Sequence, residues 1–364
     1  MIDKKIISQI DWPLLAVTIL LSLVGIMAIY SSTLSEGTYF FHRQCYWLLI
    51  GTFLLLPLLF IDYSTIERFA YPIFFISLLS LLAVLIFGQK FGGAQRWLSL
   101  GIVSVQPSEF AKLAFIIALA KYFSSIRIPH RGLGIKELII PALILLAPFL
   151  LIAKQPDLGT ALIFVFIFTS VLMVVKIRTK TVIGIFIALA SLMPFAWLYL
   201  KDYQKARLLS FIKPGSDPLG SGYHLLQSKI AIGSGGLFGS GFTKGTQGSL
   251  KFLPEHHTDF IFPILAEEWG FIGSLIVLGL FFALVTRGLD IAGGAKDKFG
   301  FLLTFGITAM IFWHLIINLA MVTGLLPVVG VPLPFLSYGG SFLTTMLIGV
   351  GLILNIGMRR FLLG

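Results

Sequence analysis

Apolar segments of about 20 residues recur along the whole sequence, and each is long enough to cross a bilayer as a helix. Only 12% of the residues are charged, whereas soluble domains carry roughly 25%. Backbone polar groups in lipid must be satisfied within a helix or a closed barrel. The sequence therefore predicts an all-α polytopic membrane protein with about ten transmembrane helices, and we expect 1–364 to form a single integral membrane domain. The candidate spans are 11–31, 45–61, 70–88, 107–123, 137–153, 158–175, 181–199, 260–286, 300–322 and 338–358.

Lysine and arginine are unevenly divided between the loops on the two sides, which predicts the orientation of the chain. If the N-terminus is cytoplasmic, most basic residues fall in cytoplasmic loops, and the opposite short loops receive only Arg43, Lys90, Arg96 and Lys154. Both termini are then expected in the cytoplasm. The net charge of +11 fits contact with anionic lipid headgroups, so no nucleic-acid partner is expected.

One long polar stretch, residues 200–259, lies between the seventh and eighth candidate spans and is expected outside the membrane. Within it, residues 222–233 predict an amphipathic helix with Leu225, Leu226 and Ile230 on one side. The glycine-rich run that follows predicts irregular backbone, which is tolerated at membrane depth only against protein or a wet cavity.

Two charged residues lie near the start of the fourth candidate span, where a buried ion is costly and normally pairs. Glu109 and Lys112 are three residues apart, so their side chains share one face of the helix. They predict either a structural salt bridge or a pair that lines a substrate cavity, with Lys112 available to a phosphate. The two interpretations are compatible.

Asp259 lies where the long loop enters the eighth candidate span, and it is the main candidate for catalysis. An aspartate there can cap the helix N-terminus, and capping is the favoured role of Asp157 at the start of the sixth span. The preceding His257 and Thr258 add a polar rim. A carboxylate partly withdrawn from water suits a general base.

Two further polar pairs lie within the spans. Glu267 and Glu268 are adjacent, so they cannot share a helix face, and one of them is expected to point into the bundle. His314 and Asn318 are four residues apart, and an interhelical hydrogen bond is favoured over a ligand role for them.

Basic residues on the side of Asp259 suit the phosphates of a lipid carrier, since arginine pairs bidentately with phosphate and lysine acts as a point charge. They are Arg96, which precedes Trp97, and Lys205, Arg207 and Lys229. Anchoring to lipid headgroups is the alternative.

Metal and nucleotide sites find little support in the sequence. A site built from His256, His257 and Asp259 would need loop geometry, because adjacent histidines in a helix diverge. Cys45 is the single cysteine, so an intrachain disulfide and a thiolate cluster are excluded. The glycine run lacks the Gly-Lys-Ser/Thr of a Walker loop.

Several short motifs, spread in order through nearly the whole chain, resemble the SEDS family (shape, elongation, division and sporulation). Gly245-Thr246-Gln247 favours its elongation branch over its division branch, whereas Phe110 and Ser240 depart from the family pattern. The departure at Ser240 puts a phosphate role for that position in doubt. The matching motifs are Gly93–Trp97, Gln106–Lys112, Gln155–Thr160, Asp217–His224, Gln227–Gly236, Leu253–Phe262 and Leu333–Ser341.

The resemblance implies an inverting peptidoglycan glycosyltransferase in the bacterial cytoplasmic (inner) membrane, acting at its outer face during cell elongation. It would polymerise lipid II into glycan strands and release undecaprenyl pyrophosphate. Asp259 falls on the family's essential aspartate, the expected general base. The candidate substrate-binding residues are Glu109, Lys112, Arg96, Trp97, Arg207, Lys229, His257, Thr258, Asp157 and Ser337.

The same resemblance implies partners: lipid II, the growing glycan strand, a class B penicillin-binding protein, the elongation machinery and membrane lipids. No tightly bound cofactor is expected, although a divalent cation, Mg²⁺ or Mn²⁺, assists related activities and its ligands cannot be assigned. The alternatives are a lipid II flippase, a non-catalytic scaffold for the transpeptidase, and a different lipid-pyrophosphate glycosyltransferase such as an O-antigen ligase.

Overall fold

The protein is described by a computed structural model that covers residues 9–91, 94–99, 101, 104–127, 129, 131–184, 187, 191, 205, 211, 221–249 and 257–360. The α-helices are α1 (Trp12–Ser32), α2 (Tyr39–Phe60), α3 (Tyr63–Arg68), α4 (Ala70–Phe87), α5 (Pro107–Ser125), α6 (Ile139–Lys154), α7 (Leu158–Val174), α8 (Ser221–Ser234), α9 (Thr246–Ser249), α10 (Ile261–Gly293), α11 (Lys298–Thr323) and α12 (Gly340–Arg359). The strands are β1 (Gln89–Phe91), β2 (Ala94–Ser99) and β3 (Ser104–Val105). Two 3₁₀ turns, Leu34–Glu36 and Lys136–Leu138, complete the regular elements of this described part.

The helical, polytopic fold agrees with the prediction from apolar periodicity. Seven of the described helices are long and apolar enough to cross a membrane, with α6 counted together with the 3₁₀ turn before it as Lys136–Lys154, and α7 is a shorter apolar helix. Helix α5 carries three charged residues and is buried in the bundle. The predicted span 181–199 falls mostly outside the described residues. Its first four residues, 181–184, are described and are helical. The total of ten spans and the position of the long loop therefore remain predictions.

Aspartates begin several helices by accepting a hydrogen bond from a backbone N–H of the first turn, as helix N-caps do. Asp11 Oδ1 accepts from Leu14 N at 3.0 Å, at the start of α1. Asp157 Oδ1 accepts from Thr160 N at 3.4 Å, so the predicted capping role of Asp157 on α7 is confirmed.

Helices α5, α11 and α12 form the centre of the bundle. Of an 18-residue apolar stretch in each helix, 94% is buried inside the protein in α12, against 22% in α2 and in α4. The peripheral helices expose large apolar side chains such as Phe53 and Phe87. Side chains of this kind are the surface expected toward hydrocarbon. The polar groups of α5 and α11 are thus kept away from lipid.

A small antiparallel sheet, in the order β1-β2-β3, precedes α5 and was not predicted from the sequence. Its second strand carries the side chains of Arg96 and Trp97. The Gln106 N–H at the end of the sheet donates to Ser341 Oγ at 3.0 Å, which ties the start of α5 to α12.

Helix α8 confirms the predicted helix in the long loop, but its orientation differs from the expectation. Leu225 and Ser228 are buried, and the Ser228 hydroxyl donates to the Val322 carbonyl at 2.6 Å. Leu226 and Ile230 are exposed. The three apolar residues therefore do not share one environment, because α8 packs one face against the ends of α10 and α11.

Helix α10 is interrupted at Gly270, whose φ of 68° and ψ of −165° are not helical. The carbonyls that the break leaves free, those of Glu267 and Glu268, accept hydrogen bonds from the backbone N–H groups of Ser240 and Gly241, at 2.9 and 3.0 Å. We refer to residues 235–249 as the glycine loop.

The same loop also satisfies the N–H groups on the far side of the break. Phe271 N donates to Gly236 O at 2.9 Å, and Ile272 N donates to Leu237 O at 3.2 Å. Unpaired backbone groups in an apolar setting cost several kcal/mol each, on the order of a full hydrogen bond. The loop therefore replaces hydrogen bonds that a continuous helix would have made.

The end of the bundle opposite Asp259 is held by polar contacts of its own. The Tyr63 hydroxyl donates to Asp297 Oδ2 at 2.5 Å, and Asp297 Oδ1 caps α11 through Gly300 N at 2.7 Å. Burial, followed by this hydrogen bond to a carboxylate, raises the pKa of Tyr63, which keeps the hydroxyl a donor. Arg287 pairs with Asp11 at 2.8 Å.

Candidate functional site

Asp259 lies in a turn directly before α10 and is half-buried. The N-cap residue of α10 is Phe260, which directly follows Asp259. A Cβ placed on Gly330 would lie 3.2 Å from Asp259 Oδ2, so the glycine leaves room beside the carboxylate. The residue therefore stands at a loop–helix junction, as predicted, with its oxygen against the backbone of the loop that precedes α12.

Three consecutive backbone carbonyls at this turn each accept a hydrogen bond from a different donor on α11 or on the loop before α12. With all three carbonyls bonded, the backbone of the turn is held in place, and this fixes the point from which the Asp259 side chain projects. The pairs are His257 O with Tyr338 N at 2.8 Å, Thr258 O with Ser337 Oγ at 2.6 Å, and Asp259 O with Asn318 Nδ2 at 2.8 Å.

The loop that holds the turn is itself braced by α2. Gln44 Nε2 donates to Ser337 O at 3.2 Å, and Gly339 N donates back to Gln44 Oε1 at 3.3 Å. Ser337 is fully buried, and its hydroxyl also accepts from Leu333 N at 2.7 Å. Ser337 thus shapes the backbone around Asp259, and its predicted contact with substrate remains a prediction.

Aromatic rings surround His257. Its ring centroid lies 4.5 Å from that of Phe40 and 5.6 Å from that of Tyr338. Phe40 and Tyr338 also meet edge to face at 5.1 Å. The half-buried Thr258 and His257 thus form the predicted rim of the turn, with the His257 ring set among aromatic side chains.

A buried charge cluster lies beneath the turn, between α5 and α11. Lys112 Nζ is 2.8 Å from Glu109 Oε2, and it donates to His314 Nε2 at 2.8 Å. The Lys112 and Glu109 side chains are 0% and 3% exposed. Lys112 also lies 5.4 Å from the ring centroid of Phe342. The salt-bridge interpretation is confirmed, and a phosphate could reach Lys112 only if this packing opened.

Helix α11 joins the cluster to the catalytic candidate. His314 contacts Lys112, and Asn318 follows one turn later, where it donates to the carbonyls of Asp259 and Val331 at 2.8 and 2.7 Å. The predicted interhelical hydrogen bond is confirmed for His314, whereas Asn318 bonds to carbonyls of a turn and a loop instead of to another helix. A single helix face therefore connects the ion pair with the Asp259 turn.

Arg96 and Asp157 form a second group at the start of α7. Arg96 donates to the Pro156 carbonyl and lies 3.7 Å from Asp157 Oδ2. Asp157, which also caps α7, is buried, whereas the Arg96 side chain is 34% exposed. Trp97 follows in the strand, half-buried. Arg96 is thus oriented by a carboxylate but keeps access to the outside.

The remaining basic candidates lie apart from this group. Lys229 is exposed, and a Cβ on Gly324 would meet its Nζ at 2.7 Å, so the ammonium lies against the C-terminal end of α11. Cations are favoured at helix C-termini, which supplies a structural role for Lys229. Arg207 and His256 lie outside the described residues. Substrate contacts by Lys229 and Arg207 remain predictions.

Metal ligands are not grouped in the part of the chain that the structure describes: no three His, Cys, Asp or Glu side chains come together there. The expectation of a divalent cation without assignable ligands stays a prediction.

Glu267 and Glu268 correct one expectation from the sequence. Both are buried, 2% and 4% exposed, although only one was expected to point inward. Residues of the glycine loop hydrogen-bond to both carboxylates, so both are covered. Glycines at close approach, such as Gly239 with a φ of 81°, are the sequence signal that could have indicated this cover.

Comparison with known proteins gives consistent results. The family model for FtsW, RodA and SpoVE cell cycle proteins matches residues 9–361. Peptidoglycan glycosyltransferase MrdB of Escherichia coli K12 is 44% identical, covering 82% of this chain and 80% of the relative. Peptidoglycan glycosyltransferase RodA of Treponema pallidum is 32% identical, with coverage of 97% and 99%.

Solved structures agree with these relatives. A chain from a peptidoglycan synthase complex, in which polymerization and crosslinking are structurally coordinated, superposes with a TM-score of 0.84 at 32% identity, covering 97% of this chain and 98% of that chain. The crystal structure of the Thermus thermophilus rod shape determining protein RodA gives 0.73 at 30% identity, with coverage of 97% and 98%. The chain therefore belongs to the FtsW/RodA/SpoVE family of cell cycle proteins.

Proposed function

We propose that this protein is a peptidoglycan glycosyltransferase that joins lipid II units into glycan strands during cell elongation. Relatives covering four fifths or more of the chain are named for glycosyl transfer in peptidoglycan synthesis, which supports the reaction class. Lipid II as donor and acceptor follows from the family motifs that carry Asp259.

The reaction assigned to Asp259 is proton removal from the acceptor sugar. As the 4-hydroxyl of the acceptor GlcNAc attacks the anomeric carbon of the donor, its proton passes to the Asp259 carboxylate. The new glycosidic bond forms while the bond from the anomeric carbon to the pyrophosphate oxygen breaks, and undecaprenyl pyrophosphate leaves. A single displacement inverts the anomeric centre. General-base help of this kind supplies about 10²–10⁴-fold in rate.

The observation that carries this assignment is the set of three bonded carbonyls from His257 to Asp259. A base must be held within hydrogen-bond reach of the hydroxyl, and displacement by about 1 Å can cost about 10²-fold. Asp259 also stands beside the N-terminus of α10, where the helix dipole favours the ionised carboxylate.

The basic groups supply the charge that a leaving pyrophosphate needs. Arg96 is exposed in part and held by Asp157, so it is a described arginine that can meet a phosphate at headgroup level. The Lys112–Glu109 pair is closed in this conformation and would contribute to substrate binding after opening. Arg207 completes the set as a sequence-based candidate.

A transpeptidase partner and the cell membrane complete the proposal. The structural match to a chain of a peptidoglycan synthase complex supports assembly with a class B penicillin-binding protein. The distribution of basic residues supports placement in the cytoplasmic membrane with both termini inside and the Asp259 end outside.

The test is glycan-strand synthesis from purified lipid II by the purified chain, alone and with its transpeptidase. Asp259→Asn should reduce polymerisation at least about 100-fold, whereas Asp297→Asn, which alters a carboxylate at the cytoplasmic end, should polymerise normally. Titration with Mg²⁺ and Mn²⁺ tests the cation requirement. Normal polymerisation by Asp259→Asn would refute the assignment, and lipid II translocation in vesicles without any polymerase activity would indicate a flippase.

A further inference from the structure

Glu267 and Glu268 are two buried carboxylates that the proposed reaction does not use. They are 2% and 4% exposed. No lysine, arginine or histidine within the described ranges forms an ion pair with either of them. Buried carboxylates need compensation, and here backbone N–H and hydroxyl donors of the glycine loop and of α1 provide it.

Glu267 binds the start of α9. Its Oε1 accepts from the Thr246 backbone N–H at 2.7 Å and from the Thr246 hydroxyl at 2.8 Å, and its Oε2 accepts from Gln247 N at 3.2 Å. One carboxylate therefore takes up three donors at two consecutive residues of the glycine loop. Charge-assisted hydrogen bonds of this type are about twice as strong as neutral ones.

Glu268 binds a different part of the same loop and joins it to α1. The Ser31 hydroxyl donates to Glu268 Oε1, and the backbone N–H groups of Thr243 and Gly245 donate to the carboxylate. Nearby, the rings of Tyr30 and Phe242 stack with centroids 6.4 Å apart. Three segments, α1, α10 and the glycine loop, thus meet at this side chain.

Side chain and backbone act together in these two residues. As described for the break at Gly270, the carbonyls of Glu267 and Glu268 accept from Ser240 and Gly241. Each glutamate therefore holds the glycine loop through its carboxylate and through its own carbonyl. Side-chain and main-chain bonds together leave one position for the loop against the outer half of α10.

The position of the clamp along the chain connects it to Asp259. The glycine loop comes before Asp259 in the chain, and both the loop and the Asp259 turn are attached to α10. Asp259 is attached covalently through the start of the helix, and Thr246 is attached through Glu267, six residues beyond Ile261 or about 9 Å along the helix. Release of Thr246 would remove the attachment at Glu267 and leave Gly245 as the next described residue held to α10.

We propose that Glu267 and Glu268 are positioning residues, which clamp the glycine loop onto α10 and so hold the Asp259 turn for glycosyl transfer. The inference rests on the proposed role of Asp259. Buried carboxylates are a poor way to gain stability, because apolar residues of similar size often serve as well or better. Two buried carboxylates at these positions fit a requirement that the glycine loop keep one geometry.

The experiment compares Glu267→Ala with Glu267→Gln in the full-length protein in lipid nanodiscs, by hydrogen exchange and by lipid II polymerisation. In Glu267→Ala, amides 240–247 should exchange at least about tenfold faster, and kcat should fall about tenfold or more with a smaller change in KM. Glutamine keeps an oxygen for Thr246, so Glu267→Gln should restore most of the protection and most of kcat.

Two controls separate this inference from the proposed base. Asp259→Asn should lose polymerisation while amides 240–247 stay protected, and Asp297→Asn should change neither readout. Ser31→Ala, which removes one donor to Glu268, is the milder variant if Glu267→Ala fails to fold, and it should loosen residues 243–245.

The inference fails if Glu267→Ala or Ser31→Ala loses loop protection yet keeps full kcat, or if kcat falls while protection is unchanged. It also fails if glutamine restores protection without restoring kcat. An active Asp259→Asn would refute the proposed base, whereas the exchange measurements would still report whether the clamp exists.

Discussion

The two ends of α5 carry the same kind of ion pair in different surroundings. At the end nearer Asp259, Lys112 lies 2.8 Å from Glu109, with side chains 0% and 3% exposed. At the other end Lys121 lies 3.1 Å from Glu67, with side chains 31% and 28% exposed. The distances are similar, so the difference in energy comes from the water that surrounds one pair and is excluded from the other.

The comparison indicates what each end of the helix is for. A solvated pair can exchange partners with little cost, and it contributes about 0–1 kcal/mol. A buried pair commits its helix to one arrangement, since neither charge can be left alone. Helix α5 is therefore expected to be fixed at the Asp259 end and tolerant at the opposite end.

The largest expected effect is at the buried pair. Lys112→Ala leaves Glu109 and His314 without their cation and should destabilise the protein by about 3–5 kcal/mol, seen as a lower midpoint of thermal unfolding in detergent. The double change Glu109→Leu with Lys112→Met should recover most of that stability. If Lys112→Ala unfolds at the wild-type temperature, burial does not distinguish the two ends of α5.

The next effect is at the break in α10, where N–H donors of the glycine loop, instead of a cation, satisfy the carboxylates of Glu267 and Glu268. Gly270→Ala places a side chain at a φ of 68° and brings its Cβ to 2.6 Å from the Leu237 carbonyl oxygen. We expect a loss of at least about 2 kcal/mol, with faster hydrogen exchange in the glycine loop. Gly279→Ala, in the same helix but with nothing within 4 Å, is the matched control and should cost nothing. Equal behaviour of the two variants would contradict a structural role for the break.

A smaller change is expected at the link between the cluster and Asp259. Asn318→Asp keeps the size of the side chain but removes both donors to the carbonyls of Asp259 and Val331. We expect a loss of about 1–3 kcal/mol and at least about a tenfold fall in polymerisation rate. Thr286→Val, whose hydroxyl bonds only to carbonyls of its own helix, should leave both unchanged. An Asn318→Asp enzyme of normal rate would separate α11 from the site.

The smallest effect is at the solvated pair. Lys121→Ala should lower stability by no more than about 1 kcal/mol, and the difference should shrink further as salt is raised, because exposed pairs are screened. Thermal midpoints at low and high ionic strength measure this. A loss as large as that of Lys112→Ala would remove the contrast between the two ends.

Local sequence patterns predicted the features that depend on near neighbours. Glu109 and Lys112 lie one turn apart, Asp157 directly precedes its helix, and 222–233 has helical periodicity, so each could be read from a few residues. The helical membrane fold follows from apolar segment length in the same way.

Other features depend on contacts between distant parts of the chain, and these were missed. Thr258 and Ser337, which hydrogen-bond to each other, are 79 residues apart. The burial of both Glu267 and Glu268 requires the glycine loop to insert at Gly270, and neither helix periodicity nor residue type reveals an insertion of that kind. The role of Asp259 in catalysis stays a prediction.

The break at Gly270 has a consequence for how the two halves of α10 are oriented. In an unbroken helix every residue turns the next by about 100°, so the direction of a residue is set by its count from any other. At Gly270 that counting is interrupted. The direction in which side chains point from the segment between Asp259 and Gly270 is therefore independent of which side of the segment after Gly270 faces lipid. The sequence of each segment can therefore match its own surroundings without changing the direction of the side chains on the other segment.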